Sequence, residues 1–108
     1  MSRKTLLHGL FPLVRAEIFR LLFTNPRQEL YVRELARLSR LALQTVQDEL
    51  AKLDAAKLIS SRSNGYHRFY RANDTHPLYL TLRKLVVRAA SHSLPKPRDR
   101  GRRRAQAP

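Results

Sequence analysis

Between Leu30 and Tyr70 the apolar residues change spacing, and each change marks an element. From Ala42 to Ala56, Val46, Leu50 and Leu53 recur at intervals of four and three, the spacing that lines one stripe of a helix. Gln44, Thr45, Gln47, Asp48, Ala51 and Lys52 fall on the opposite side. Just upstream, Val32 to Leu38 forms a second short helical pattern, joined to the first through Ser39-Arg40-Leu41. Ala36, Leu41 and Val46 stand five residues apart at each step. They supply a small residue where two helices cross, an apolar plug in the turn and a branched residue on the facing helix. Downstream, Leu58 to Arg62 and Tyr66 to Arg71 flank Ser63-Asn64-Gly65. Asn-Gly predicts a hairpin with a type I′ turn, in which both central residues take positive φ.

The ends of the chain are helical by the same criteria. Thr5 caps a short helix whose apolar edge is Leu6, Leu7, Leu10 and Phe11, and Pro12 closes it. Leu13 to Phe23 follows, with Val14, Ile18, Leu21 and Leu22 on one face, Arg15, Glu17 and Arg20 largely on the other, and Thr24-Asn25-Pro26 as the stop. After the hairpin, Asn73 to Pro77 collects turn and cap residues and opens a helix with Leu78, Leu82, Leu85, Val86 and Ala89 at helical spacing. Tyr79 and Val87 widen this stripe beyond what a small core needs, which points to a partner surface.

Two helices packed across a tight turn and followed by a hairpin make a helix-turn-helix with a wing. The chain resembles the winged helix-turn-helix transcriptional regulators of the ArsR/MarR-like superfamily. The resemblance is carried by Leu35-Ala36-Arg37-Leu38-Ser39, by Thr45-Val46-Gln47-Asp48-Glu49-Leu50, by Leu58-Ile59, and by Gly65 to Asn73. It covers roughly Leu6 to Ala90. The expected fold is mainly α with a small β-hairpin wing, an α+β class, in one domain over residues 1–94 with a disordered basic tail over 95–108. The resemblance implies that Gln28 to Tyr31 adds a third strand to the wing. It also implies that the first and last helices pair two copies into a homodimer through Leu6, Leu10, Leu78, Leu82, Leu85 and Val86.

Charge narrows the partner. The 108 residues carry 22 Lys and Arg against 8 Asp and Glu, a formal charge of +14, which points to a polyanion such as nucleic acid. Six of these bases, including Arg100, Arg102, Arg103 and Arg104, follow Leu94 against Asp99 alone, so the domain itself stays basic. Arg100-Gly101-Arg102 loosely matches a minor-groove hook without its following proline, and the plainer expectation is nonspecific attraction to phosphates. With no cysteine, disulfides, thiolate metal sites and thiol catalysis are excluded. No apolar run approaches the length of a membrane span, and a soluble cytoplasmic protein is expected.

Catalysis is not expected, because the acids are scattered and no phosphate-binding glycine loop is present. Asp74-x-His76 matches half of a metal site of some ArsR-type sensors, but Val87 and Ala90 stand where further ligands belong, so no metal or cofactor is expected. The leading expectation is a sequence-specific regulator on double-stranded DNA. Gln44, Thr45 and Gln47 meet base edges, Arg37, Arg40 and Lys52 hold phosphates, and Arg62, His67 and Arg68 carry the wing to the backbone or minor groove. Asp48 either accepts from a cytosine amino group or weakens DNA use. Arg40 at the turn, Ala42 at the N-cap and Ala56 at the helix end replace residues that suit those positions better. The alternatives are a protein-interaction module on the same fold, such as the partner of a toxin or nucleotidyltransferase, and a nonspecific architectural nucleic-acid binder.

Overall fold

The computed structural model describes residues 4–95 as five helices and a three-stranded antiparallel sheet, an α+β arrangement. The helices are α1 (Leu6–Leu10), α2 (Leu13–Phe23), α3 (Val32–Ser39), α4 (Leu43–Ala55) and α5 (Tyr79–Ala90). The strands are β1 (Leu30–Tyr31), β2 (Ile59–Ser63) and β3 (Arg68–Ala72), in the order β1-β3-β2. Leu30 pairs with Tyr70, and Ile59 with Ala72, so the short piece before α3 completes the sheet that the hairpin begins.

The core forms where α2 meets α3, α4 and α5. Ile18, Phe19, Leu22 and Phe23 of α2 are buried with Leu35, Val46, Leu50, Leu53, Ile59 and Val86. Phe19 meets Phe11 and Phe23 edge to face, an arrangement that the negative face and positive edge of the rings favour. Thr5 caps α1 by accepting from the Leu7 N–H, and Thr5 in turn donates its own N–H to His8 Nδ1. The described ends meet: Leu6 donates to the His92 carbonyl, and Leu94 donates to that of Lys4. A Cβ on Gly9 would stand 3.0 Å from Leu94 Cδ1, so a larger residue at this crossing would require the Leu94 side chain to shift.

Three local expectations are corrected. The hairpin turn is centred one residue later than Asn64-Gly65, since Asn64 N–H bonds to the His67 carbonyl and only Gly65 of this segment has positive φ. The cause is the Asn64 carboxamide, whose oxygen accepts from both Tyr66 and His67 and stands in for a backbone turn. Helix α5 begins at Tyr79 rather than around Pro77, because His76 Nδ1 takes the Leu78 N–H and the His76 carbonyl takes that of Tyr79. Glu17, expected on the outer face of α2, is 3% exposed.

Glu17 is buried as an ion cluster and not as a lone charge. Arg20 donates to both of its oxygens, at 2.7 and 3.3 Å, and His8 Nε2 lies 2.5 Å from Oε2. Because His8 Nδ1 accepts the Thr5 N–H, its proton sits on Nε2 and is donated to Glu17. Burial pushes the Glu17 pKa up, yet hydrogen bonds from Arg20 and His8 outweigh it and hold the carboxyl below its ordinary value. This cluster joins α1 to α2.

Candidate nucleic-acid interface

The turn between α3 and α4 is set by backbone bonds that satisfy the carbonyls ending α3. Leu41 donates to the Ala36 carbonyl and Arg40 to that of Arg37, the paired bonds of a Schellman closure. That closure needs a left-handed residue, and Arg40 supplies it at φ 63°, ψ 32°. Leu41 and Ala36 are half-buried against the core beside Val46, as their five-residue spacing implies. The same closure recurs after α4, where Leu58 donates to the Leu53 carbonyl and Lys57 to that of Asp54. There the left-handed residue is Lys57, at φ 65°, and not Ala56, which stays right-handed.

Helix α4 runs thirteen residues from an Ala42 cap with no side-chain hydrogen bond, so its first amides are open on that account. Its inner stripe is Val46, Glu49, Leu50 and Leu53. Buried Glu49 accepts from Arg15 Nε at 2.6 Å, a tie to α2 that resists rotation of α4 about its axis. Gln44, Thr45, Gln47, Asp48, Ala51 and Lys52 are all exposed. Within that face Gln44 donates to Asp48 Oδ1 at 2.8 Å, so the acid and the amide one turn earlier form one polar unit. Arg37 and Arg40 are also exposed beside it.

The hairpin divides the residues expected to act together. Side chains alternate across a strand, and Tyr31, Phe69 and Arg62 lie in one cross-strand row. His67 shares their side, stacked on Tyr31 at 4.5 Å. Arg68 is on the other side with Tyr70 and Ala72, where its guanidinium reaches Ser61 Oγ at 3.1 Å. Ile59 and Ala72 lie on this side and are buried in one core with Leu50 and Leu53 of α4, so this side of the sheet faces α4, and burial raises the Tyr70 hydroxyl pKa. Arg62, by contrast, is engaged by Glu29 through Nε and Nη2 and lies 4.9 Å over the Phe69 ring. The bonds from Arg62 hold the Glu29 carboxyl below its usual range. Of the three side chains expected on the hairpin, Arg68 alone shares a side with α4.

Of the residues expected at a two-copy contact, Leu6, Leu10, Leu78 and Leu85 are exposed and Leu82 is half-buried, but Val86 is 0% exposed and belongs to its own chain's core. Arg100, Arg102, Arg103 and Arg104 lie outside the described residues. His76 is occupied in ordering the start of α5, and no group of three or more His, Asp or Glu among the described residues is placed to hold a metal. No helix among the described residues is long and apolar enough to cross a membrane.

The polar pairs that shape this surface carried unequal signals. Gln44 and Asp48 sit four apart on one helix and are legible as a pair. Arg15 with Glu49, Arg62 with Glu29, and His8 with Glu17 join different elements, and no local spacing announces them. Neither a protein-family model nor a curated protein matches the sequence.

Proposed function

We propose that this chain is a sequence-reading, double-stranded DNA-binding transcriptional regulator of the winged helix-turn-helix type, working as a homodimer. The observation that carries the reading is the outward face of α4. It is exposed along its length, furnished with Gln44, Thr45 and Gln47, and held by Leu41 in the turn and by the Arg15–Glu49 tie. An α-helix with side chains is about 10–12 Å across and B-DNA's major groove is about 12 Å wide. Arg37, Arg40 and Arg68 surround this face with positive charge suited to phosphates, while Arg62 is withdrawn by Glu29 and His67 by Tyr31. Asp48 keeps an oxygen for a cytosine amino group while Gln44 holds the other.

Selection from a pool of randomised duplexes, followed by anisotropy against excess competitor, tests the reading. The expected outcome is a selected site bound at least about a thousandfold better than random DNA. Equal affinity for both would remove sequence reading and leave a charge-driven binder.

A second reading rests on the apolar residues left outside on the terminal helices, with Leu10 57% and Leu78 56% exposed. It makes the domain a protein-interaction module whose working surface is α1 and α5. Recovery of one stoichiometric protein partner, with no preference among duplexes, favours it.

A further inference from the structure

The side of the sheet turned away from α4 carries aromatic rings that take no part in the core. Tyr31, Phe69, Arg62 and Arg71 share this side by strand alternation, and His67 joins them by stacking on Tyr31. Tyr70, on the opposite side, packs against the buried cluster, whereas Tyr31 and Phe69 lie outside it. Polar residues are the ordinary furnishing of a solvated sheet face, so these rings call for another role.

They form two layered stacks. His67 is exposed and lies on half-buried Tyr31, with centroids 4.5 Å apart and planes inclined by 21°. Arg62 lies 4.9 Å over the centroid of half-buried Phe69. Glu29 takes the edge of that guanidinium through Nε and Nη2, and the Arg62 side chain is still 58% exposed, so a planar face stays open. An imidazole and a guanidinium are flat surfaces on which unpaired nucleobases stack. The planes of His67 and Phe69 cross at 78°, with centroids 6.2 Å apart. Bases meeting both stacks must therefore be splayed from one another, which an unpaired strand permits and a duplex does not. Arg71 is exposed on the same side and has no salt bridge among the described residues, and Arg27 and Arg33 are exposed before and after β1. With Glu29 engaged by Arg62, the uncompensated charge on this side is positive, as phosphates require.

We propose that the outer side of the sheet binds single-stranded DNA, its bases stacked on His67 and on the Arg62–Phe69 pair and its phosphates drawn by Arg71. Stacking accepts every base, so this binding is indifferent to sequence. That the strand is DNA rests on the duplex reading of α4, whereas the stacking rests on the sheet alone.

Fluorescence anisotropy of the full chain with labelled strands of about ten nucleotides tests it. Three strands of equal length and charge are compared: deoxyuridine, the same backbone without bases, and ribouridine. The deoxyuridine strand should bind at least about fivefold more tightly than the abasic one, the smallest gain expected of one stacked base. His67→Ala and Phe69→Leu, each verified by a thermal melt, should each remove most of that preference while leaving abasic binding unchanged. Arg71→Ala should weaken both strands alike. Gln44→Ala combined with Gln47→Ala should leave the deoxyuridine strand's affinity unchanged even where duplex discrimination is lost, so failure of one reading is distinguishable from failure of the other. Equal binding of deoxyuridine and abasic strands means attraction by charge alone and overturns the proposal, as does a preference that neither ring variant moves. If Phe69→Leu does not fold, His67→Ala decides. Ribouridine should bind no more tightly than deoxyuridine, and tighter binding overturns the assignment to DNA.

Discussion

Replacing Arg40 by glycine should stabilise this protein even though it removes a side chain from the proposed DNA surface. Arg40 sits at φ 63°, ψ 32°, where an L residue's Cβ crowds the following carbonyl at a cost of roughly 1–2 kcal/mol. Glycine escapes that cost but loses roughly 0.4–1 kcal/mol through its freer unfolded chain, so the net gain is about 0.5–1 kcal/mol. In a domain of this size, that raises the melting temperature by about 2–8 °C. Lys57, at φ 65° in the matching closure, should respond in the same way. The two effects should add, because the residues close different helices and share no hydrogen-bond partner. Thermal unfolding by circular dichroism of Arg40→Gly, Lys57→Gly and the double variant measures this. Arg40→Ala is the control: it removes the same charge but keeps the left-handed strain. If the alanine variant gains as much as glycine, relief of charge repulsion in a +14 chain explains the effect and the backbone argument fails. On DNA the two Arg40 variants should be alike, each flattening the salt dependence of binding by about 0.9 for one phosphate contact.

Glu17→Gln should destabilise by about 1–3 kcal/mol at neutral pH, since it weakens charged hydrogen bonds from Arg20 and His8 in a buried site. The lowered Glu17 pKa means its contribution is present above the unfolded value near 4.5 and is lost as pH falls through the lower folded value. Wild type should therefore lose more stability between pH 5 and pH 3 than Glu17→Gln does, and parallel denaturation curves would refute the assignment. Gln44→Ala and Gln47→Ala should each reduce discrimination against a one-base variant by about 1–3 kcal/mol while sparing random DNA, measured by competition anisotropy. A uniform loss on both would place these side chains off the bases. Arg68→Ala should flatten the salt dependence where Arg62→Ala does not, because Glu29 already holds Arg62, and equal slopes would contradict the division of the hairpin into two sides.

The elements themselves were legible because they depend on local geometry. Val46, Leu50 and Leu53 repeat at the period of a helix, and any chain with that pattern hides that stripe and shows Gln44, Gln47 and Lys52. The crossing of α3 and α4 was equally readable, since Ala36, Leu41 and Val46 are tied to one turn by adjacent backbone bonds. The hairpin was legible in place but not in turn type, because Asn64 could serve either through its backbone or through its carboxamide, and the carboxamide prevailed. Charged residues were the part that pattern could not decide. A helical wheel puts Glu17 outside because it is polar. Only the approach of α1, bringing His8 across to meet it, makes an interior carboxylate affordable. Arg62 reads as a free cation until the sheet sets Glu29 beside it. Periodicity is a property of one element, whereas the partner of a charge comes from wherever packing puts it, and so tertiary structure alone assigned these side chains.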